Sequence, residues 1–143
     1  MQGKVLAVCI SDEKSIPKEN RGKGFLQANF GLPGDAHAGS EKQVSLLAQE
    51  DVAKFRKATT LDAPSGCFAE NFRTQGIDLV ALPLGTKVCV GEAVIEITQK
   101  GKDPNVAHTY SYKGHSLLPT RGVFAKVIQS GTVKTGDRVL VIK

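Results

Sequence analysis

Two stretches of this 143-residue chain share one arrangement: Gly-Thr, a few residues, Gly-acid, then a Val/Ile run. They are LGTKVCVGEAVIEI at 84–97 and SGTVKTGDRVLVI at 130–142. An apolar β-branched run that meets a Gly-acid pair and then resumes reads as strand, tight turn, strand. The pattern predicts a hairpin at Gly91-Glu92 and turns at Ser130-Gly131 and Gly136-Asp137. GKVLAVCIS near the start, QVSLL at 43–47 and VFAKVIQ at 123–129 read as further short strands. Several short strands at regular spacing point to a small closed or nearly closed β-barrel. The expected fold is therefore mainly β, with one or a few short α-helices.

The helix candidate is AQEDVAKFRKA. Val44, Ala48, Val52 and Phe55 fall at helical spacing, with charges on the other face. Ser45 is its expected N-cap, and Thr59 and Thr60 mark its end. DEKSIPKENRGKG and FGLPGDAHAG read as loops, being rich in Gly, Pro and polar residues. No linker or low-complexity run divides the chain, so one domain is expected over 1–143. With 41% hydrophobic residues the chain can bury a core, which Val, Ile, Leu and Ala must fill because Trp is absent.

Three cysteines, Cys9, Cys67 and Cys89, cannot all pair with one another, and none lies in a CxxC. The opening MQGKVLAVCI is too short and mixed for a secretory signal, and no run approaches a membrane span. A reducing cytoplasmic setting is expected, with no membrane partner. The net charge of +5 is unevenly placed. Residues 1–99 carry eleven basic and twelve acidic groups, whereas 100–143 carry eight basic groups against Asp103 and Asp137. Such a field favours an anionic partner, and its plain alternative is a solvated basic face. Few aromatics interleave with these charges, which argues against a nucleic-acid surface. Walker, HExxH and GxSxG motifs are absent.

Taken together, five strings stop being generic. They are GLPGDAHAG (31–39), KQVSLLAQE (42–50), GCFAENFRTQGIDLVALPLGTKVCVGEA (66–93), EITQKGK (96–102) and LPTRGVFAKVIQSGTVKTGD (118–137). In this order and spacing they resemble a MOSC domain, named for the C-terminal part of molybdenum-cofactor sulfurases, a family associated with pyridoxal phosphate enzymes. The resemblance implies a mostly-β barrel and a link to the molybdenum cofactor, molybdopterin, a pterin with a phosphate and a metal-chelating dithiolene. It also implies a cysteine soon after the TQ.GK motif that carries sulfur or binds molybdenum, and enzymatic relatives that reduce N-hydroxylated compounds. Laid on this chain, the family's thiol positions fall at Pro104, His108 and Ser116. No cysteine exists between 90 and 143. Proline offers no donor atom and serine only a hard oxygen, whereas a thiolate is the soft ligand.

The candidate residues follow. Cys67 is the one thiol outside a strand pattern. It is either a relocated catalytic group or an inert buried side chain. His37 and Lys42 either line a pocket mouth or, with Asp35, shape the glycine-rich loop. Glu70 and Asn71 belong to a family motif and cap a turn or orient a ligand. Thr98 and Gln99 end a strand at the proposed mouth. Lys102 and Arg121 flank the loop as candidate phosphate contacts.

The first functional expectation is a module that binds molybdopterin or a similar phosphorylated small molecule, without a sulfur-carrying thiol. It would serve cofactor handling or delivery, with a cofactor-biosynthesis protein or molybdoenzyme as partner. A second is a molybdenum-dependent reductase or sulfur-transfer component using Cys67. A third is a non-catalytic barrel that contacts a protein or nucleic acid through its basic C-terminal third.

Overall fold

A computed structural model describes residues 2–14, 16–101 and 111–142. The elements in chain order are β1 (Gln2–Ile10), β2 (Glu19–Asn20), β3 (Lys23–Leu26), β4 (Val44–Ala48), α1 (Gln49–Thr59), β5 (Phe72–Gln75), a 3-10 turn (Leu79–Ala81), β6 (Lys87–Val90), β7 (Ala93–Lys100), α2 (Leu118–Arg121), β8 (Val123–Gln129), β9 (Gly131–Lys134) and β10 (Arg138–Val141). Seven strands run in the order β10-β6-β7-β8-β4-β5-β1, and β1 pairs back onto β10 to close the barrel. The short β2 adds to the far end of β1, and β3 pairs with β9 as a separate ribbon.

The hairpin expected at Gly91-Glu92 joins β6 to β7, with Val90 opposite Ala93. Alternation then decides which side chains go inside. Ala93, Ile95 and Ile97 of β7 are buried, and Val94, Glu96 and Thr98 are not. Val88, Val90, Val123, Ala125, Val127 and Val139 complete this wall of the core. Each fully buried Val or Ile contributes about 1.5–3 kcal/mol relative to exposure. In β1 the inward positions pass from Val5 to Val8, a change of parity that the register shift between Val5 and Ala7 accommodates.

β4 pairs with β5 in parallel, which requires a crossover, and α1 with the following loop supplies it. Every residue of β4 is buried because both of its faces are covered. Val44 and Leu46 face the barrel core. Leu47 faces a second cluster with Val52, Phe55, Cys67, Phe68, Leu118 and Phe124. Glu50 and Asp51 at the start of α1, and Arg56 and Lys57 at its end, suit the helix dipole.

One boundary differs from the sequence reading. Val44, Ser45 and Ala48 lie in or end β4, so the helix begins at Gln49 and Ser45 is not its N-cap. Ser45 instead serves Asn71: its backbone N–H and Oγ both lie within hydrogen-bond distance of Asn71 Oδ1. Thr59 and Thr60 do end the helix, with Thr60 in the left-handed region at φ 62°.

Candidate functional site

The turn-rich segment between β3 and β4 is organised around the buried Asp35. Its Oδ1 accepts from the Ser11 N–H at 3.2 Å and from Lys18 Nζ at 2.8 Å. Its Oδ2 accepts from the His37 N–H at 3.1 Å. The Lys18 side chain is 1% exposed and that of Asp35 fully buried, so this is an interior ion pair. Burial alone would lift the Asp35 carboxyl. Hydrogen bonds from the His37 backbone N–H and from Lys18, together with the Lys18 charge, outweigh it and hold the group well below the usual carboxylate range.

The loop then continues with its own fastenings. Ser40 Oγ donates to the His37 carbonyl at 2.7 Å and accepts from the Lys42 N–H at 3.1 Å. Gln43 Oε1 accepts from the Val127 N–H, which ties the loop to β8. With its backbone fixed, the loop places His37, Ser40, Glu41 and Lys42 around a cleft of about 380 Å³, to which Lys14 also contributes. Lys42 Nζ lies 5.8 Å from the centre of the Phe124 ring. Thr98 Oγ1 donates to the Phe124 carbonyl, and Gln99 Nε2 donates to the Gly101 carbonyl at 2.8 Å. Thr98 and Gln99 sit at a register shift in the β7–β8 ladder, an irregularity of the kind that re-aims side chains near sites.

Glu70 and Asn71 lie elsewhere and are fully buried. Glu70 Oε2 accepts from Arg73 Nε at 2.7 Å, and Oε1 accepts from the Phe68 N–H. Arg73 also donates to Gln49 Oε1 and to the carbonyls of Ala63 and Pro64. Asn71 Nδ2 donates to the Cys9 carbonyl, so this one side chain joins β1 to β4. Both residues are satisfied inside the wall.

Arg121, on α2, points at α1. Its Nε lies 2.9 Å from Asp51 Oδ1, and its Nη2 is 4.0 Å from Asp78. The groove there is lined by Glu50, Asp51 and Asp78 as well as Lys54 and Arg121, a balance that does not favour an anion. Lys102, Pro104 and His108 lie outside the described residues.

Cys67 is buried in the second apolar cluster, which also holds Phe68, and Arg73 lies close enough to act on it. Burial, with Glu70 adding to it against Arg73, pushes its thiol up to about 12. Cys9 is likewise pushed up to about 12, again chiefly by burial. Such thiols stay protonated at neutral pH and present no nucleophile or soft ligand. Among the described residues, no three His, Cys, Asp or Glu side chains gather where they could hold a metal. The residues around the cleft fit the phosphate of a pterin. The buried, raised thiols of Cys9 and Cys67 do not fit its molybdenum.

Lys14, Lys18 and Ser40 escaped the sequence reading. The GDAH string flagged the loop, but nothing in SIPKEN marks Lys18 as the buried cation that secures it.

These features define a class: a small closed β-barrel with a cationic cleft in the loop leading into β4. Residues 33–140 match the MOSC domain, and the chain belongs to that family. Its fold is shared with the YUAD protein from Bacillus subtilis, at 20% identity and a TM-score of 0.76, over 99% of this chain and 96% of that one. It is shared too with YiiM from Geobacillus stearothermophilus, at 16% identity and a TM-score of 0.75, over 99% and 75%. YiiM from Escherichia coli aligns at 19% identity and a TM-score of 0.70, over 100% and 70%. No curated protein matches the sequence significantly. No helix among the described residues is long and apolar enough to cross a membrane.

Proposed function

We propose that this MOSC domain binds a phosphorylated small molecule of the molybdopterin type through the His37–Lys42 cleft, and serves in handling or delivering that cofactor. The observation that carries the reading is the cleft itself, where Lys14, His37, Ser40 and Lys42 converge against the single carboxylate of Glu41. Three cationic or proton-donating side chains and a hydroxyl suit a phosphate's oxygens. Thr98 and Gln99 do not line the cleft; Thr98 is linked to it only through Phe124, whose ring Lys42 approaches. Arg121 enters only if it leaves Asp51. The burial that raises the Cys9 and Cys67 thiols supports binding and transfer of an intact cofactor over sulfur carriage. Three free cysteines agree with a cytoplasmic setting, where a cofactor-biosynthesis protein or a molybdoenzyme would be the partner.

The test is pterin and metal analysis of protein purified from a cofactor-producing host. We expect near-stoichiometric pterin in the wild type. Lys42→Ala should weaken phosphate-bearing ligands by about 1.5–3 kcal/mol, or roughly ten- to a hundredfold. Absence of pterin from the wild type, or retention unchanged in Lys42→Ala, defeats the proposal.

A further inference from the structure

Lys18 is a buried cation, its side chain 1% exposed, and its ammonium has a third neighbour besides Asp35 and Ser11. His37 Nδ1 lies 3.3 Å from Lys18 Nζ, whereas Asp35 Oδ2 is farther from that nitrogen, at 3.8 Å. A lysine ammonium has three donors and no acceptor. An imidazole nitrogen that faces it closely must therefore bring a lone pair, and a neutral imidazole with a lone pair on Nδ1 carries its proton on Nε2.

We infer that Lys18, anchored by Asp35, is a positioning residue that fixes His37 as the Nε2–H tautomer. This inference rests on the cleft reading above and deepens it by naming the chemistry that the cleft accepts. The His37 side chain is 26% exposed, and Nδ1 is turned inward, so Nε2 is the ring nitrogen left for the cleft. It presents a hydrogen-bond donor there. A phosphate or carboxylate oxygen is complementary to it. A metal ion is not, since coordination through Nε2 needs the lone pair that the proton occupies. The cleft thus selects oxyanions over metals through a residue that no ligand touches.

Long-range proton–nitrogen NMR of histidine-labelled protein, at a pH where the imidazole is neutral, reads the tautomer directly. In the wild type, His37 Nδ1 should show the shift of an unprotonated ring nitrogen and Nε2 that of a protonated one. The opposite assignment overturns the inference with no variant needed. In Lys18→Met the donor is gone and Asp35 Oδ2 becomes the neighbour of Nδ1, so the two nitrogens should exchange their shifts. Lys18→Arg, which again only donates, should restore the wild-type pattern. An unchanged pattern in a folded Lys18→Met variant also overturns it.

Inorganic phosphate, titrated into the same sample, reports separately on the cleft. It should shift Nε2 in the wild type and in Lys18→Arg, and lose that effect in Lys18→Met. If the tautomer is as inferred and phosphate leaves Nε2 unmoved in the wild type, the positioning role stands and the anion reading falls.

Discussion

Cys67 and Cys89 differ in setting more than in chemistry. Cys89 is half-buried on the outer side of β6, and Cys67 is buried in the second apolar cluster with its thiol pushed up to about 12. Timed alkylation at neutral pH, followed by mass spectrometry, should modify Cys89 first. Cys67 and Cys9 should lag by at least about tenfold until the protein unfolds. Rapid labelling of Cys67 in the folded state would revive a catalytic thiol. Asp35 gives a pH signature of definite sign. Its folded value is lowered from the ordinary 3.8, so between the two values the unfolded chain binds the proton more readily. Its contribution is complete above about pH 4 and is lost as pH falls below that. Urea midpoints measured against pH should decline less steeply for Asp35→Asn than for the wild type over that acid range. The sequence flagged Asp35 as a loop-shaper and Glu70 as a turn cap or ligand contact, and a buried carboxylate in either role needs a partner. It did not identify Lys18 or Arg73 as those partners, because a contact between distant segments leaves no local pattern.

At the scale of elements, the strands rich in apolar residues were legible, β1 and β4 among them, and those broken by glycine or charge were not. β6, β7, β8 and β10 announce themselves by Val and Ile at every second position. β3 hides behind Gly24, which reads as a breaker. Its missing Cβ is what lets β3 approach, since an added Cβ would fall 2.9 Å from Leu32 and 3.1 Å from Val8. β5 hides because FRTQ carries a buried arginine whose charge suggests a surface loop. Helix periodicity also overran into β4, where continuous burial imitates one turn of helix. Two glycines separate backbone strain from space. Gly66 and Gly34 have nearly the same positive φ, 88° and 89°. A Cβ on Gly34 meets nothing within 4 Å, whereas one on Gly66 would collide with the Lys18 carbonyl. Gly34→Ala should therefore cost about 1–2 kcal/mol, the left-handed penalty alone. Gly66→Ala should cost clearly more and disturb the Lys18 anchorage. Thermal unfolding of the two variants side by side checks this, and equal costs would refute it.

At the scale of the molecule, the closed barrel depends on its last strand. β10 lies between β1 and β6 and contributes the buried Val139. Truncation after Asp137 would expose the edges of both neighbours and open the core. We expect such a protein to lose its cooperative thermal transition by circular dichroism, and retention of a sharp transition would show that the remaining six strands close by themselves. The barrel was legible because its turns recur at fixed spacing. The cleft was half legible: its glycines, Asp35 and His37 stand together in the sequence, and the cation that fixes them does not. The basic excess of the last third was less informative than its size suggested, since Arg121 and Lys126 are paired with Asp51 and Glu96.

The pairing of Gln2 with Leu140 also sets the order of events during synthesis. β1 can pair with β5 early, but it cannot find its second barrel partner until β10 has left the ribosome. Through most of translation β1 and β6 offer unpaired edges, the kind of surface on which nascent chains associate with one another. Contacts so distant along the chain also make folding slow for a protein of this size. The feature that leaves the finished barrel without an open seam is thus the one that exposes the growing chain longest.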